Sequence, residues 1–228
     1  MKSIPRSVCG LLAAMLLAAG CASVGETKFY TLSAPSDLEK GAYRGPSEPG
    51  APPIFIDVMP VRVPERLVRP QLVVSMKGQE TQLLILEQAR WSSHFNYELR
   101  DAFAAAIAGK IGVINEISEI GETRGNKASG HPVYRIAIEL RQFDATIGDR
   151  VNARFDWTIT HSMRAARRAA CYSIISEASG SSIESLVKGI QNVVKTAAER
   201  ISQNLIELNG SGAATCGPQK TMDDNAGG

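Results

Sequence analysis

The stretch VNARFDWTIT, residues 151–160, alternates strictly between apolar and polar side chains. The apolar positions are Val151, Ala153, Phe155, Trp157 and Ile159. They share one side of an extended chain, because successive side chains of a β-strand point to opposite faces. The other side of the strand is polar. One apolar face and one wet face indicate a strand of an antiparallel sheet that is covered on a single face.

The segment before this stretch shows the same periodicity. Residues 133–143 carry apolar side chains at Tyr134, Ile136, Ile138 and Leu140. Residues 169–177 form a third strand segment after a short turn. Three consecutive strands are therefore expected, with a turn at Gly148-Asp149 between the first two.

Four shorter strands are expected nearer the N-terminus, in runs rich in β-branched, aromatic and aliphatic residues. They cover residues 28–32, 54–58, 72–76 and 82–87. The last two flank Lys77-Gly78-Gln79-Glu80, which predicts a hairpin turn. Pro60 and Pro64 predict irregular chain, or a sheet edge, between the second strand and this hairpin.

Two amphipathic helices are expected. Ser92 or Ser93 caps the first, and Gly109 or Gly112 ends it. Its apolar stripe consists of Phe95, Leu99, Ala102, Phe103, Ala106 and Ile107. This spacing of three and four residues is typical of a helix with one buried face.

The second helix is the longest predicted element. Ser181 or Ser182 caps it and Asn209-Gly210 stops it, so about 26 residues would span roughly 39 Å. Its apolar stripe consists of Ile183, Leu186, Val187, Ile190, Val194, Ala197, Ile201 and Leu205.

The order of strands, helix, strands, helix has too few helices for a doubly wound parallel sheet. It predicts an α+β fold, an antiparallel or mixed β-sheet with two main helices packed on one face.

A membrane anchor is predicted at Leu17-Ala18-Ala19-Gly20-Cys21. A basic start and an apolar run of about ten residues precede it, too short for a spanning helix of roughly 20. Leu-Ala-Gly-Cys resembles the lipobox of bacterial lipoproteins, with one extra alanine. That resemblance implies lipidation of Cys21 with acyl chains such as palmitate and removal of the signal peptide. The alternative is an ordinary exported protein with a chance cysteine at its cut site.

The sequence divides into five predicted segments. They are a lipoprotein signal peptide (1–20), a lipidated N-terminus with the first strand (21–32), a Pro/Gly-rich loop (33–53), an α+β domain (54–208, joined by strand 28–32) and a flexible C-terminal tail (209–228). The full chain has 25 basic and 23 acidic residues, and two of the basic ones leave with the signal peptide. This charge balance favours neither nucleic-acid binding nor an electrostatic contact with anionic lipid. Attachment to a membrane must therefore come from acyl chains.

Of the four cysteines, Cys9 leaves with the predicted signal peptide and Cys21 is the predicted lipidation site. Cys171 and Cys216 form an even pair in an oxidising compartment. We expect a disulfide, which would pin the tail to the domain. Two unpaired thiols are the alternative. A spacing of 45 residues lacks the close pairs of zinc sites, so no metal is expected.

No catalytic residue, cofactor site or metal site is predicted. His94, His131 and His161 are scattered through the sequence, without an HExxH motif. The sequence also lacks a GxSxG elbow, a P-loop and a GxGxxG turn, so ATP would be handled by a partner.

A series of motifs across residues 21–207 resembles the PqiC family, the paraquat-inducible protein C-like ABC-type transport auxiliary lipoproteins. After the lipobox come Phe29-Tyr30-Thr31-Leu32, Val63-Pro64, Arg69-Pro70-Gln71-Leu72-Val73, Trp91, Phe143-Asp144 and Trp157. The order and spacing of these motifs carry the resemblance, since none is decisive alone.

The resemblance implies a non-enzymatic periplasmic lipoprotein that docks on, or forms a ring in, a lipid-transport system supporting envelope integrity. Its partners would be an MCE (mammalian cell entry) domain protein and an ABC permease and ATPase, with a homo-oligomer as a further assembly. Ala22 and Ser23 follow Cys21, where an Asp would favour inner-membrane retention. The outer membrane of a Gram-negative bacterium is therefore the expected location.

Two other functions remain open at this stage. A lipid-binding carrier would hold acyl chains itself, in a cavity lined by Phe95, Phe103, Phe155 or Trp157. A secreted hydrolase would need a reactive residue, and the sequence offers no candidate.

Overall fold

The computed structural model describes residues 25–33, 54–111, 114–115 and 133–216. The signal peptide, Cys21, residues 34–53, His131 and the tail beyond Cys216 lie outside the described residues. Eight described strands form one sheet, and two long helices accompany it.

The strands are β1 (Lys28–Tyr30), β2 (Phe55–Val58), β3 (Gln71–Met76), β4 (Gln79–Trp91), β5 (Ile114–Asn115), β6 (Val133–Ile147), β7 (Arg150–His161) and β8 (Arg168–Ala178). The helices are α1 (Phe95–Ile111) and α2 (Ile183–Ser211), and a short 3-10 turn spans Glu65–Leu67.

The sheet is mixed and is organised around β6. On one side β6 pairs antiparallel with β7, which pairs antiparallel with β8. On its other side β6 pairs in parallel with β2 near its start and with β3 near its end. β4 then pairs antiparallel with β3, while β1 and β5 add parallel pairs to β4 and β2. The α+β fold class expected from the sequence is confirmed.

The inward register predicted for β7 is also confirmed. Val151, Phe155 and Ile159 are fully buried. Phe103 of α1 meets Phe155 edge-on, with ring centroids 5.3 Å apart. Trp157 Nε1 donates to Asn204 Oδ1 of α2 at 3.1 Å. Both helices therefore cover the same face of the sheet.

The alternation in β6 changes phase partway along the strand. Tyr134 to Leu140 follow the predicted pattern, with every second side chain buried. A register shift between Leu140 and Gln142 then places Phe143 and Ala145 on the buried face. The shift is a local bulge, which adds a residue to one strand of an antiparallel pair.

The hairpin turn is shorter than expected. Only Lys77 and Gly78 lie between β3 and β4, so the four-residue turn predicted over residues 77–80 was wrong. Gly78 has φ 82°, which a glycine adopts without steric cost. β4 is also longer than predicted, because its last residues pair with β1.

The second long helix runs past the predicted stop. It continues through Asn209-Gly210 to Ser211, and Gly212 (φ 81°) caps it by donating its N–H to Leu208 O at 3.2 Å. Leu208 is fully buried, so packing against the core continues through this last turn. At the other end, Ser182 is the cap and accepts from Ser185 N at 3.1 Å.

Candidate functional site

Glu98 joins β1, the end of β4 and the start of α1. It is only 6% exposed, and both carboxylate oxygens accept hydrogen bonds. Oε2 accepts from Thr31 Oγ1 at 3.0 Å and from Leu32 N at 3.1 Å. Oε1 accepts from Ser92 Oγ at 2.5 Å, Ser93 N at 3.1 Å and Ser93 Oγ at 3.0 Å. A buried carboxylate needs this many partners, because its burial is otherwise costly.

The second helix also contacts β1. Gln191 Nε2 donates to Thr31 O at 3.0 Å. Glu184, in the first turn of α2, accepts from Lys28 Nζ at 3.3 Å and from Tyr30 Oη at 3.2 Å. The Lys28–Glu184 pair is well exposed and contributes little stability. The strand that follows the predicted lipidation site is thus fixed to both helices.

Cys171 and Cys216 come together near β8, at the edge of the sheet opposite β1. Cys171 lies on the buried face of β8, opposite Trp157 of β7. After α2 the chain folds back, and the structure pairs the two sulfur atoms in a disulfide, with the Cα atoms 5.1 Å apart. This Cα separation lies in the normal range for disulfides.

Hydrogen bonds from the second helix hold the segment that carries Cys216. Thr215 N donates to Glu207 Oε2 at 2.7 Å, and Thr215 O accepts from Asn204 Nδ2 at 3.2 Å. The bonds that Gln203 and Thr215 donate lower the pKa of Glu207. Asn204 therefore bonds to both the indole of Trp157 and the returning tail.

Of the two described histidines, His161 takes a structural position and His94 is exposed. His161 is buried at the end of β7, where its Nδ1 accepts from Met163 N at 3.1 Å and Arg164 N at 3.0 Å. Its ring meets Tyr134 edge-on, with centroids 4.9 Å apart. Burial lowers the pKa of His161, and the charges of Arg164 and Arg167 lower it further. His94 is exposed immediately before α1.

The aromatic side chains that a lipid carrier was expected to use are packed together instead. Phe95 contacts Phe143, and Phe103 contacts Phe155, each with centroids 5.3 Å apart. Each of the four expected residues, Trp157 included, is at most 4% exposed. A carrier would therefore need another place for acyl chains.

An interhelical cleft of about 320 Å³ lies between α1 and α2. Small side chains line much of it: Ala102, Ala105, Ala106, Gly109, Val194 and Ala198. Leu32, which follows β1, also lines it. Lys110, Lys188, Lys195 and Glu199 are among the polar lining residues. The cleft thus combines a small, largely apolar floor with a rim that carries more positive than negative charge.

Two of the rim lysines have no acidic partner in the described part of the chain. Lys110 Nζ lies 3.6 Å from Glu199 Oε1, so this pair compensates itself. Lys188 and Lys195 are exposed and form no ion pair with another described residue. They provide positive charge along the α2 side of the cleft.

The opposite face of the sheet carries paired charges. Arg154 Nε lies 2.9 Å from Asp156 Oδ1, and its guanidinium lies 4.7 Å from the ring centroid of Tyr172. Glu139 pairs with Arg62 at 3.1 Å and with Arg141 at 2.8 Å. Both signs alternate there, so the face is a compensated surface and not a strip of one charge.

No group of three or more His, Cys, Asp or Glu side chains that could hold a metal occurs among the described residues. Within the same residues no helix is long and apolar enough to cross a membrane.

Sequence reasoning did not single out Glu98 or Asn204. The sequence nevertheless contains a clue to both, because each is a polar residue next to the buried apolar stripe of its helix. Asn204 lies between Ile201 and Leu205 of the buried stripe, and Glu98 precedes Leu99. Their partners come from distant segments, however, so their roles depend on the tertiary fold.

Comparison with known proteins agrees with this architecture. The family model for the ABC-type transport auxiliary lipoprotein component matches residues 30–202. A crystal structure of an uncharacterized protein superposes with a TM-score of 0.55 at 14% identity, covering 79% of this chain and 99% of that one. At this identity the likeness concerns the fold alone.

Two further solved structures are more distant. A Xanthomonas campestris protein of family DUF330 gives a TM-score of 0.46 at 15% identity, covering 75% of this chain and 96% of that one. A putative lipoprotein from Caulobacter crescentus gives 0.31 at 16% identity, covering 50% and 83%. No curated protein shows significant similarity to the chain. The match over residues 30–202 places this chain in the family of ABC-type transport auxiliary lipoprotein components.

Proposed function

We propose that this protein is a periplasmic lipoprotein, anchored in the outer membrane through Cys21, that serves as a non-enzymatic docking component of an MCE-type ABC lipid-transport system. The observation that carries the proposal is the family match over residues 30–202. The sequence Leu17–Cys21 supports the anchor. Ala22-Ser23, in place of an Asp after Cys21, supports a location in the outer membrane.

The position of β1 suits a tethered domain. Cys21 precedes Lys28 by seven residues, which limits the separation to about 25 Å of extended chain. Two or more acyl chains on one cysteine hold a protein stably at a bilayer, at about 0.8 kcal/mol per buried CH₂. Glu98 and Gln191 fix Thr31 to both helices, so the strand that follows the proposed anchor belongs to the folded core.

The interhelical cleft is the surface that we assign to the transport partner. A groove with small apolar side chains accepts an amphipathic helix or an extended segment, whose apolar side chains enter it. Lys188 and Lys195 on the rim favour acidic residues beside those apolar side chains. The partner chemistry is therefore an acidic, amphipathic segment of an MCE-domain protein.

Membrane fractionation tests the anchor. The wild-type protein is expected to float with outer-membrane vesicles at high salt and to remain there after washing. Cys21→Ala removes the acylated sulfur and should leave the protein outside the outer-membrane fraction. Flotation of Cys21→Ala at high salt would show that the anchor is not at Cys21.

Cross-linking and affinity purification test the partner. Tagged protein should recover an MCE-domain protein identified by mass spectrometry. The double variant Lys188→Glu, Lys195→Glu should reduce that recovery, whereas Arg168→Glu, an exposed change at the start of β8, should not. Equal recovery from both variants would remove the cleft from the proposal, and absence of any MCE protein from the wild-type sample would reject the partner.

A further inference from the structure

The predicted tether and the β3–β4 hairpin approach each other along β4. β1 pairs in parallel with β4, with Lys28 opposite Ala89. One residue earlier, Thr27 Oγ1 donates to Gln88 Oε1 at 2.8 Å. Because the pairing is parallel, the chain before Thr27 enters from the side of the lower-numbered residues of β4. These residues belong to the hairpin.

The covalent distances allow Cys21 to reach the middle of this hairpin. Cys21 precedes Gly25 by four residues, a reach of at most about 14 Å. Ile85 precedes Gln88 by three residues and Leu83 by five, so they lie about 10 Å and about 17 Å back along the strand. Acyl chains on Cys21 can therefore enter a bilayer beside Leu83 and Ile85.

Three apolar side chains form a patch on this part of the hairpin. Leu83 is 53% exposed and Ile85 is 45% exposed. Val73 is half-buried and pairs directly with Ile85, which places the two side chains on the same face. Leu83 lies two residues before Ile85, and both side chains are more exposed than Leu84 between them, which places Leu83 on that face beside the register shift of the hairpin. We call Val73, Leu83 and Ile85 the hairpin patch.

The hairpin patch has a polar boundary. Gln71 and Glu87 continue the same strands, and Gln71 Nε2 donates to Glu87 Oε2 at 3.3 Å. Arg90 Nη2 also bonds to Glu87 Oε2 at 3.3 Å. On this face apolar side chains thus give way to polar Gln71 on β3 and to charged Glu87 on β4, as at the edge of a surface that enters lipid only partly.

We propose that the hairpin patch rests on the lipid surface that holds the acyl chains of Cys21. The inference rests on the proposed acylation and adds a second, non-covalent contact that orients the domain on the bilayer. The tether keeps a bilayer within reach of this patch at all times, whereas a protein partner would have to enter between the domain and the membrane. The contact is apolar, so salt does not weaken it.

Tryptophan variants of the acylated protein in phospholipid vesicles test this contact. Leu83→Trp and Ile85→Trp place a fluorophore in the hairpin patch. The native Trp91 and Trp157 are each 4% exposed and give a constant background. Met163→Trp is the matched control, because Met163 is 68% exposed and lies far from the hairpin. The turn between β6 and β7 neighbours the hairpin at Lys77, whereas Met163 follows the other end of β7. Circular dichroism and thermal melts establish that each variant is folded.

The inference predicts a blue shift and a loss of the added fluorescence in vesicles of brominated phosphatidylcholine for both hairpin variants, at low and high salt. Met163→Trp should show neither change. If the protein floats but the hairpin variants are not quenched, the anchor stands and the lipid contact is wrong. A blue shift without quenching would mean that protein covers the patch, which also overturns the inference. If the wild-type protein is not acylated and does not float, the proposed anchor fails and this contact fails with it.

Discussion

Thr31 and Glu98 are joined by a hydrogen bond of 3.0 Å that links the N-terminal strand to the first helix. Thr31 immediately follows β1, and Glu98 lies in the first turn of α1. The same carboxylate also accepts from Ser92 and Ser93 at the end of β4. One buried side chain therefore fixes the N-terminal strand to the distant junction between β4 and α1. If the protein is tethered at Cys21, a force on the tether would be transmitted to the core through these hydrogen bonds.

Glu98→Gln should lower the free energy of unfolding by about 1–3 kcal/mol, because an amide presents one donor where the carboxylate presents an acceptor. Whichever way the amide turns, the backbone N–H of Leu32 or of Ser93 loses its partner. Denaturant unfolding measures the change. Glu199→Gln is the control, since Glu199 is exposed and bonds only weakly to Lys110, and it should alter stability by less than about 0.5 kcal/mol. Equal effects of the two variants would contradict the role of Glu98.

Trp157 and Asn204 should be energetically coupled. Asn204→Ala leaves the buried indole N–H of Trp157 without its partner and frees Thr215 O, a cost of about 1–3 kcal/mol. A double-mutant cycle with Trp157→Phe should give a coupling energy of about 0.5–3 kcal/mol.

Trp91→Phe provides the matched cycle. Trp91 is equally buried but stacks on Phe95, with centroids 5.2 Å apart. Its effect should add to that of Asn204→Ala within about 0.5 kcal/mol. Additivity in both cycles would show that the indole–amide bond contributes nothing specific.

His161 should make stability depend on pH in the mildly acidic range. Its pKa is lowered in the folded protein by burial and by Arg164 and Arg167, and its Nδ1 must stay unprotonated to accept two backbone N–H groups. Above the unfolded-state pKa of about 6.5 the imidazole is neutral in both the folded and the unfolded protein. The contribution of His161 to stability is then fully present. As the pH falls below that value the unfolded chain binds the proton first, so the free energy of unfolding falls until the pH passes the folded-state pKa.

His161→Asn tests this dependence, because an amide oxygen can accept the same N–H groups without titrating. The loss of stability from about pH 8 to about pH 5 should be smaller in the variant than in the wild type. NMR titration of the His161 ring should show protonation below the ordinary histidine range. An equal loss in both proteins would exclude His161 as the source.

The sequence predicted those parts of the fold that depend on local periodicity. Alternation in β7 and in the first half of β6 identified the buried face, because these strands pair with their neighbours in the chain. The parallel contact of Met76 with Ile147 was not predictable in this way, since it joins segments far apart in sequence. The full length of β4 was not predictable for the same reason, because its last three residues pair with β1, which is distant in sequence. Of the candidate site, Ser92 and Ser93 were singled out only as caps of the first helix. In the structure their hydroxyls instead donate to Glu98, and the carboxylate that unites them with Thr31 was not predicted.

The disulfide between Cys171 and Cys216 should stabilise the domain by about 4 kcal/mol in the chain-entropy model, for a sequence separation of 45 residues. Intact-mass measurement of the mature protein should show a gain of two hydrogen atoms on reduction. Free thiols in the unreduced sample would reject the pairing. If the bond is present, Cys216→Ala should lower the free energy of unfolding.

The location of the bond predicts a second effect. Cys216 is held beside Trp157 through Thr215 and Asn204, so opening the bond should release residues 213–216 from α2. Hydrogen exchange should then increase at the Thr215 amide, which donates to Glu207, while the amides of α1 stay protected. Cys171→Ala with Cys216→Ala should reproduce this exchange pattern without reductant. If exchange instead rises throughout the sheet, the bond stabilises the whole domain and does not merely fasten the returning segment to the second helix.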